Sequence, residues 1–134
     1  MLAGSLVTAL ALAHAAAAVP VTIDSEPIEV TAAESRVGYE ALVAGDNVRA
    51  IAEIQGNRAL AQDDPARLIN LGIAHARLGD TARAQDLFNA AVASNDQMEL
   101  ETATGDWIYS RAIARMALRL LDQGDLRMAR IAVR

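Results

Sequence analysis

The stretch LINLGIAHARLGDTARAQDLF, from Leu68 to Phe88, decides the fold. Leu68, Leu71, Ile73, Ala74 and Leu78 return at helical spacing and make a broad apolar stripe. Just upstream, Asp64 and then Pro65 read as an N-cap followed by proline at the first helical position. Two glycines interrupt the pattern, and glycine inside a helix costs about 1 kcal/mol against alanine. Gly79 falls where the first helix ends, in the place where glycine accepts a left-handed backbone. Asp80 or Thr81 starts the next helix, with Ala84, Leu87, Phe88 and Ala91 inward and Val92 extending that face. Gly72 lies within the first helix. The reason expected for it is close approach of the paired helix at Ala84.

The pattern recurs along the chain. At an offset of 34 residues, Val37-Gly38 falls on Leu71-Gly72, Gly45-Asp46 on Gly79-Asp80, Arg49-Ala50 on Arg83-Ala84, and Ile54 on Phe88. Gly38 is accordingly read as a second helical contact glycine, against Ala50. Gly45 is read as a turn, and Gly56 as the end of that earlier hairpin. Gly124-Asp125, with Ala129 five residues after the glycine, marks a third copy. Self-similarity at this period is the mark of stacked supersecondary units.

These residues resemble the tetratricopeptide repeat, a helix–turn–helix unit. The second copy, 65–98, carries Leu68, Leu71, Gly72, Leu78, Gly79, Ala84, Phe88 and Ala91 in the family order, with His75 where tyrosine is usual and Asp96 where proline is usual. The first copy, 31–64, is looser and has Ala41 at the tyrosine position; the third spans 110–134. The resemblance implies an all-α fold, a short right-handed stack of about three antiparallel helix-turn-helix hairpins over 31–134. The run DLRMARIAVR would supply the last helix, with Leu126, Met128 and Ile131 on its outward face.

Composition sets bounds. The chain has 134 residues, is 53% hydrophobic and only 3% aromatic, so it has room for one domain of closely packed, alanine-rich helices. Its net charge is −5, and every basic side chain apart from the histidines is arginine. An acidic chain without a basic run lacks the phosphate contacts that dominate nucleic-acid affinity. Cysteine is absent, which excludes disulfides and thiolate-metal sites. The first eighteen residues carry no charged side chain and end in small residues, and 19–30 is a polar linker with two prolines. Residues 1–18 read as a signal peptide cleaved near 15–18, although no Lys or Arg precedes the apolar core. Export, periplasmic in a bacterial cell, follows. The other readings are an uncleaved N-terminal membrane anchor and a buried helix.

Catalytic and cofactor signatures are missing. Once a signal is removed, His75 is the sole histidine, and it matches a packing position facing the partner helix. The acids Asp96, Glu99, Glu101 and Asp106 lack calcium-loop spacing, and no glycine-rich phosphate loop is present. No catalytic residue, metal or cofactor is expected, and the chain is read as a non-enzyme. The acidic insertion at 94–106 is open between a loop and a helical extension. Trp107 and Tyr109 are expected to open the last long helix and pack over the end of the second copy.

The resemblance also implies a concave groove lined by the first helices. Family positions place Arg36, Tyr39, Asn70, Arg77, Arg111 and Arg115 there. Arg111, Arg115 and Arg119 form an i, i+4, i+8 row by spacing alone. Some members hold a partner's C-terminal carboxylate with an asparagine of the middle repeat and two basic residues of the third, a pattern Asn70, Arg111 and Arg115 match. The first repeat has Ser35 and Tyr39 where its share is expected. Two readings stand: a groove for an anionic protein or peptide, bound through bidentate arginines, and a solvated arginine face. The implied function is an exported, non-enzymatic adaptor. The alternative is a structural subunit of an envelope complex that self-associates through the C-terminal repeat edge.

Overall fold

Aspartate starts three of the helices. In the computed structural model, which describes residues 37–134, Asp46, Asp64 and Asp80 each accept a hydrogen bond from the backbone N–H three residues on, at Arg49, Arg67 and Arg83. Each cap satisfies a donor that a helix start leaves open. They open α2 (Asn47–Gly56), α3 (Pro65–Arg77) and α4 (Thr81–Ala93). A short α1 (Tyr39–Val43) precedes them, and α5 (Ser110–Gln123) follows. The described part is mostly helical, with one small two-stranded sheet.

α3 is the centre of the packing. It lies against α2, α4 and α5 and touches α1, and every residue from Pro65 to Ala74 is buried. Buried Arg67 ties α3 to the preceding hairpin, donating to the carbonyls of Ile54 and Asn57 at 2.7 and 3.2 Å. Those carbonyls lie where α2 ends, a position that favours a cation.

Of the two glycines expected inside helices, one departs from the expectation. A Cβ on Gly72 would fall 2.5 Å from Phe88 Cε1, so the paired helix does approach closely here and the nearest side chain is the Phe88 ring. Gly38 is not inside a helix. It is the residue before α1, left-handed at φ 67°, and a Cβ there would meet Ile54 at 2.7 Å. Gly38 with Ile54 and Gly72 with Phe88 are the same contact one period apart.

The insertion at 94–106 is neither plain loop nor helix. Glu99–Glu101 (β1) pairs antiparallel with Trp107–Tyr109 (β2), and residues 102–106 turn between them. Leu100 is buried while Trp107 and Tyr109 are 64% and 60% exposed, so the two aromatics do not pack over α4 as expected. They point outward because a strand alternates its faces.

The run after Gly124 is the larger correction. DLRMARIAVR forms no second helix: 126–128 is a turn, and 129–134 is irregular apart from an antiparallel bridge at Val133. Leu126 and Ile131, expected on an outward face, are buried, and Met128 alone of the three is exposed. Ile131 and Val133 are β-branched and suit extended backbone. The partners a non-helical backbone needs come from α3 and β1.

Candidate functional site

The face of α3 predicted to line a groove is filled by the chain's own segment 129–134. Asn70, fully buried, lies behind it. Its side-chain carbonyl accepts the Val133 N–H at 3.0 Å, and its amide donates to the Val133 carbonyl at 2.7 Å and the Val37 carbonyl at 2.9 Å. Both amide protons are thereby used. One side chain pairs with Val133 as a neighbouring strand would.

Arg77 sits two turns further along α3 and does similar work. Its guanidinium donates to the carbonyls of Leu42, Ala129 and Ile131 at 2.8, 2.9 and 3.1 Å. Burial pulls its pKa below the usual arginine value without an opposing carboxylate. The rigid fork lets one residue hold three carbonyls on two segments.

On its other side the segment adds to β1. Glu101 and Arg134 exchange both backbone hydrogen bonds at 3.0 Å, and Ala103 N–H donates to the Ala132 carbonyl at 3.0 Å. Thr102 and Val133 bridge antiparallel. The side chains of the same pair close the end: Arg134 donates to both Glu101 carboxylate oxygens at 2.8 and 2.9 Å, and its guanidinium lies 5.0 Å over the Tyr39 ring. Hydrogen bonding to Arg134 holds the Glu101 carboxyl below the usual glutamate range and raises Arg134.

The six residues expected in the groove therefore separate. Asn70, Arg77 and Tyr39 converge on the 129–134 segment, where their polar or ring faces are already engaged. Arg111 belongs elsewhere, donating to the carbonyls of Val92 and Ser94 at 3.0 and 3.1 Å and so closing the end of α4. Arg115 is exposed on α5. Arg36 lies outside the described residues. Asn70, Arg111 and Arg115 do not form a set of free donors for one carboxylate.

Beside the segment an open cleft of about 280 Å³ remains, lined by Leu42, Val43, Arg77, Ala103, Arg130, Ile131 and Ala132. It adjoins a shallower depression reached by Arg127 and Met128. Arg77, Arg127 and Arg130 pair with no carboxylate among the described residues. Arg127 and Arg130 were missed in the sequence because they were assigned to a helix.

His75 lies 3.3 Å from Asp80 across the α3–α4 turn. No group of three His, Asp or Glu side chains that could hold a metal ion occurs among the described residues. No helix among them is long and apolar enough to cross a membrane, and the segment read as a signal peptide lies outside them. Comparison with protein-family models, curated proteins and solved structures finds no match to this chain.

Proposed function

We propose that the chain is a non-enzymatic protein-interaction module, built of tetratricopeptide-like hairpins, that takes an acidic peptide in the cleft between α1 and the 129–134 segment. One observation carries this reading: Arg77 and Arg130 line the cleft and Arg127 the depression adjoining it, beside aliphatic side chains, and none of the three meets a carboxylate among the described residues. A peptide bringing an aspartate, a glutamate or a terminal carboxylate would supply the missing charge through a bidentate pair with Arg130. Export through residues 1–18 remains part of the proposal, and a mature N-terminus near Ala16 or Val19 in intact-mass measurement is its check.

The test is selection of displayed peptides on the full chain, followed by titration against the exposed variant Arg130→Glu. Selected peptides should be acidic, bind less tightly as salt rises, and lose at least tenfold in affinity on Arg130→Glu. Failure to select any peptide, or indifference to that charge reversal, overturns the reading.

A second reading, assembly through the same edge, is favoured by the exposed apolar side chains Val43, Val48 and Met128, which are 57%, 66% and 88% exposed. It now rests on Met128 alone among the three residues first assigned to that edge. Sedimentation should then show self-association that Met128→Glu abolishes; a monomer at all concentrations removes it.

A further inference from the structure

The 129–134 segment is held largely through its main chain. It contributes no helix, and its grip on the rest is that of an added strand. The carbonyls of Ala129, Ile131, Ala132, Val133 and Arg134 and the N–H groups of Val133 and Arg134 are all paired, and all of these partners lie between Asn70 and Ala103. Recognition through main chain is how a sheet edge takes an extended peptide, while pockets for alternate side chains set the preference. Those pockets can be read from what fills them. Ile131 is 7% exposed, Ala132 1% and Val133 0%. Ala132 puts a small side chain at the buried position between them, and Arg134 meets both the Glu101 carboxylate and the Tyr39 ring. The segment joins α5 through residues 124–128, which are exposed except at Leu126, the one side chain of that link packed into the core.

We infer that Asn70, Arg77, Glu101 and the β1 edge form a binding site for an extended segment of a partner protein with the pattern aliphatic–small–β-branched–arginine, and that residues 131–134 occupy this site in cis. The site shares Arg77 with the cleft beside it, and its occupant forms one wall of that cleft, but the two differ in charge preference. The inference depends on the reading of this protein as a peptide-binding module, but its ligand is basic where that of the cleft is acidic. A tethered occupant acts at high effective concentration, so a free segment of the same pattern binds the undisturbed chain poorly. A partner gains access when its own segment replaces the tethered one.

The experiment uses a fluorescein-labelled synthetic peptide of residues 125–134 and the full chain, with anisotropy as readout. Val133→Asp in the chain releases the tethered segment while leaving Asn70, Arg77 and Glu101 in place. Arg134→Ala is the milder release should Val133→Asp lose helical circular dichroism. A released chain that keeps its helices should bind the peptide at least tenfold tighter than the unaltered chain. Adding Glu101→Arg to the released chain should cut that binding at least fivefold, and a peptide carrying Arg134→Glu should restore it. A helical, released chain that binds no better than the unaltered one overturns the inference, as does failure of the charge swap to rescue. If the unaltered chain is a dimer that Val133→Asp makes monomeric, the site is filled by a second copy and the separate partner is refuted. Acidic peptides are selected on the unaltered chain, where Arg130, Ile131 and Ala132 still wall the cleft, so the two readings fail separately.

Discussion

Asn70→Asp changes one side-chain atom group and is expected to be among the most damaging substitutions in the chain. The carboxylate retains an acceptor for the Val133 N–H but faces the carbonyls of Val37 and Val133, which lie 2.9 and 2.7 Å from the amide nitrogen it replaces. Asn70→Ala removes all three bonds instead. Each buried group left unpaired costs about 1–3 kcal/mol. Outward movement of residues 129–134 lets water reach the two groups of Val133, so the three losses are not fully additive. We expect a loss of about 3–5 kcal/mol for Asn70→Ala, at the upper end for a single substitution in a buried network. Asn70→Asp should be equal or worse, because a carboxylate aimed at two carbonyls adds repulsion and the cost of burying charge. Against a total stability of about 5–15 kcal/mol for a domain of this size, that is a large fraction. Urea unfolding followed by circular dichroism gives the first number. Native-state amide exchange at Val133 and Arg134 gives the second, and both amides should lose their protection. A loss below about 1 kcal/mol with those amides still protected would refute the claim that Asn70 holds the segment.

Three further outcomes are expected. Gly72→Ala should destabilise, since overpacking against Phe88 costs about 1–3 kcal/mol and exceeds the helix-propensity gain of about 1 kcal/mol; Gly72→Ala with Phe88→Leu should recover most of it, and a stabilised single variant in urea unfolding would contradict the contact. The Glu101 carboxyl lies below its usual range because Arg134 donates to it. Its contribution is therefore fully present above the ordinary glutamate pKa and fades as pH falls through the lowered value. Exchange protection of the Arg134 amide should follow that acid limb, and Glu101→Gln should flatten it; an unchanged acid response in the variant disproves the linkage. Trp107 is the only tryptophan and is 64% exposed, so acrylamide should quench native and unfolded chains almost alike. Strong native protection would place the ring against the helices after all.

The helices with strong local signals were readable. Asp64-Pro65 gave the start of α3, Gly79 its end, and the offset of 34 residues related Gly38-Ile54 to Gly72-Phe88 before either contact was visible. The hairpin had a signal that periodicity favouring helices masked. Glu99-Leu100-Glu101 and Trp107-Ile108-Tyr109 alternate about a five-residue stretch containing Gly105, which is a hairpin signature. The 129–134 segment was harder. Ile131-Ala132-Val133-Arg134 is too short for its β-branched alternation to outweigh a repeat register that assigned it to a helix. Its conformation is set by groups remote in sequence, at Asn70, Arg77 and Glu101, and no local window contains them. The groove residues were identified by type, but their engagement with the chain's own carbonyls needed the tertiary structure.

The hydrogen bonds between Asn70 and Val133 span 63 residues, and the ring contact between Arg134 and Tyr39 joins the two most distant regions described. Helical hairpins placed one after another interact with their neighbours, so such arrays fold and unfold in steps along a line. Here the 129–134 segment reaches back to α1 and turns the line into a loop. The hairpins close locally and quickly, whereas docking of 129–134 waits on the slowest, highest-separation contacts. The chain should accordingly acquire its helices before its full cooperativity, and lose that cooperativity first when the segment is pulled away. In kinetic terms the segment is a late clasp whose release leaves helices formed but no longer bound to a common fate.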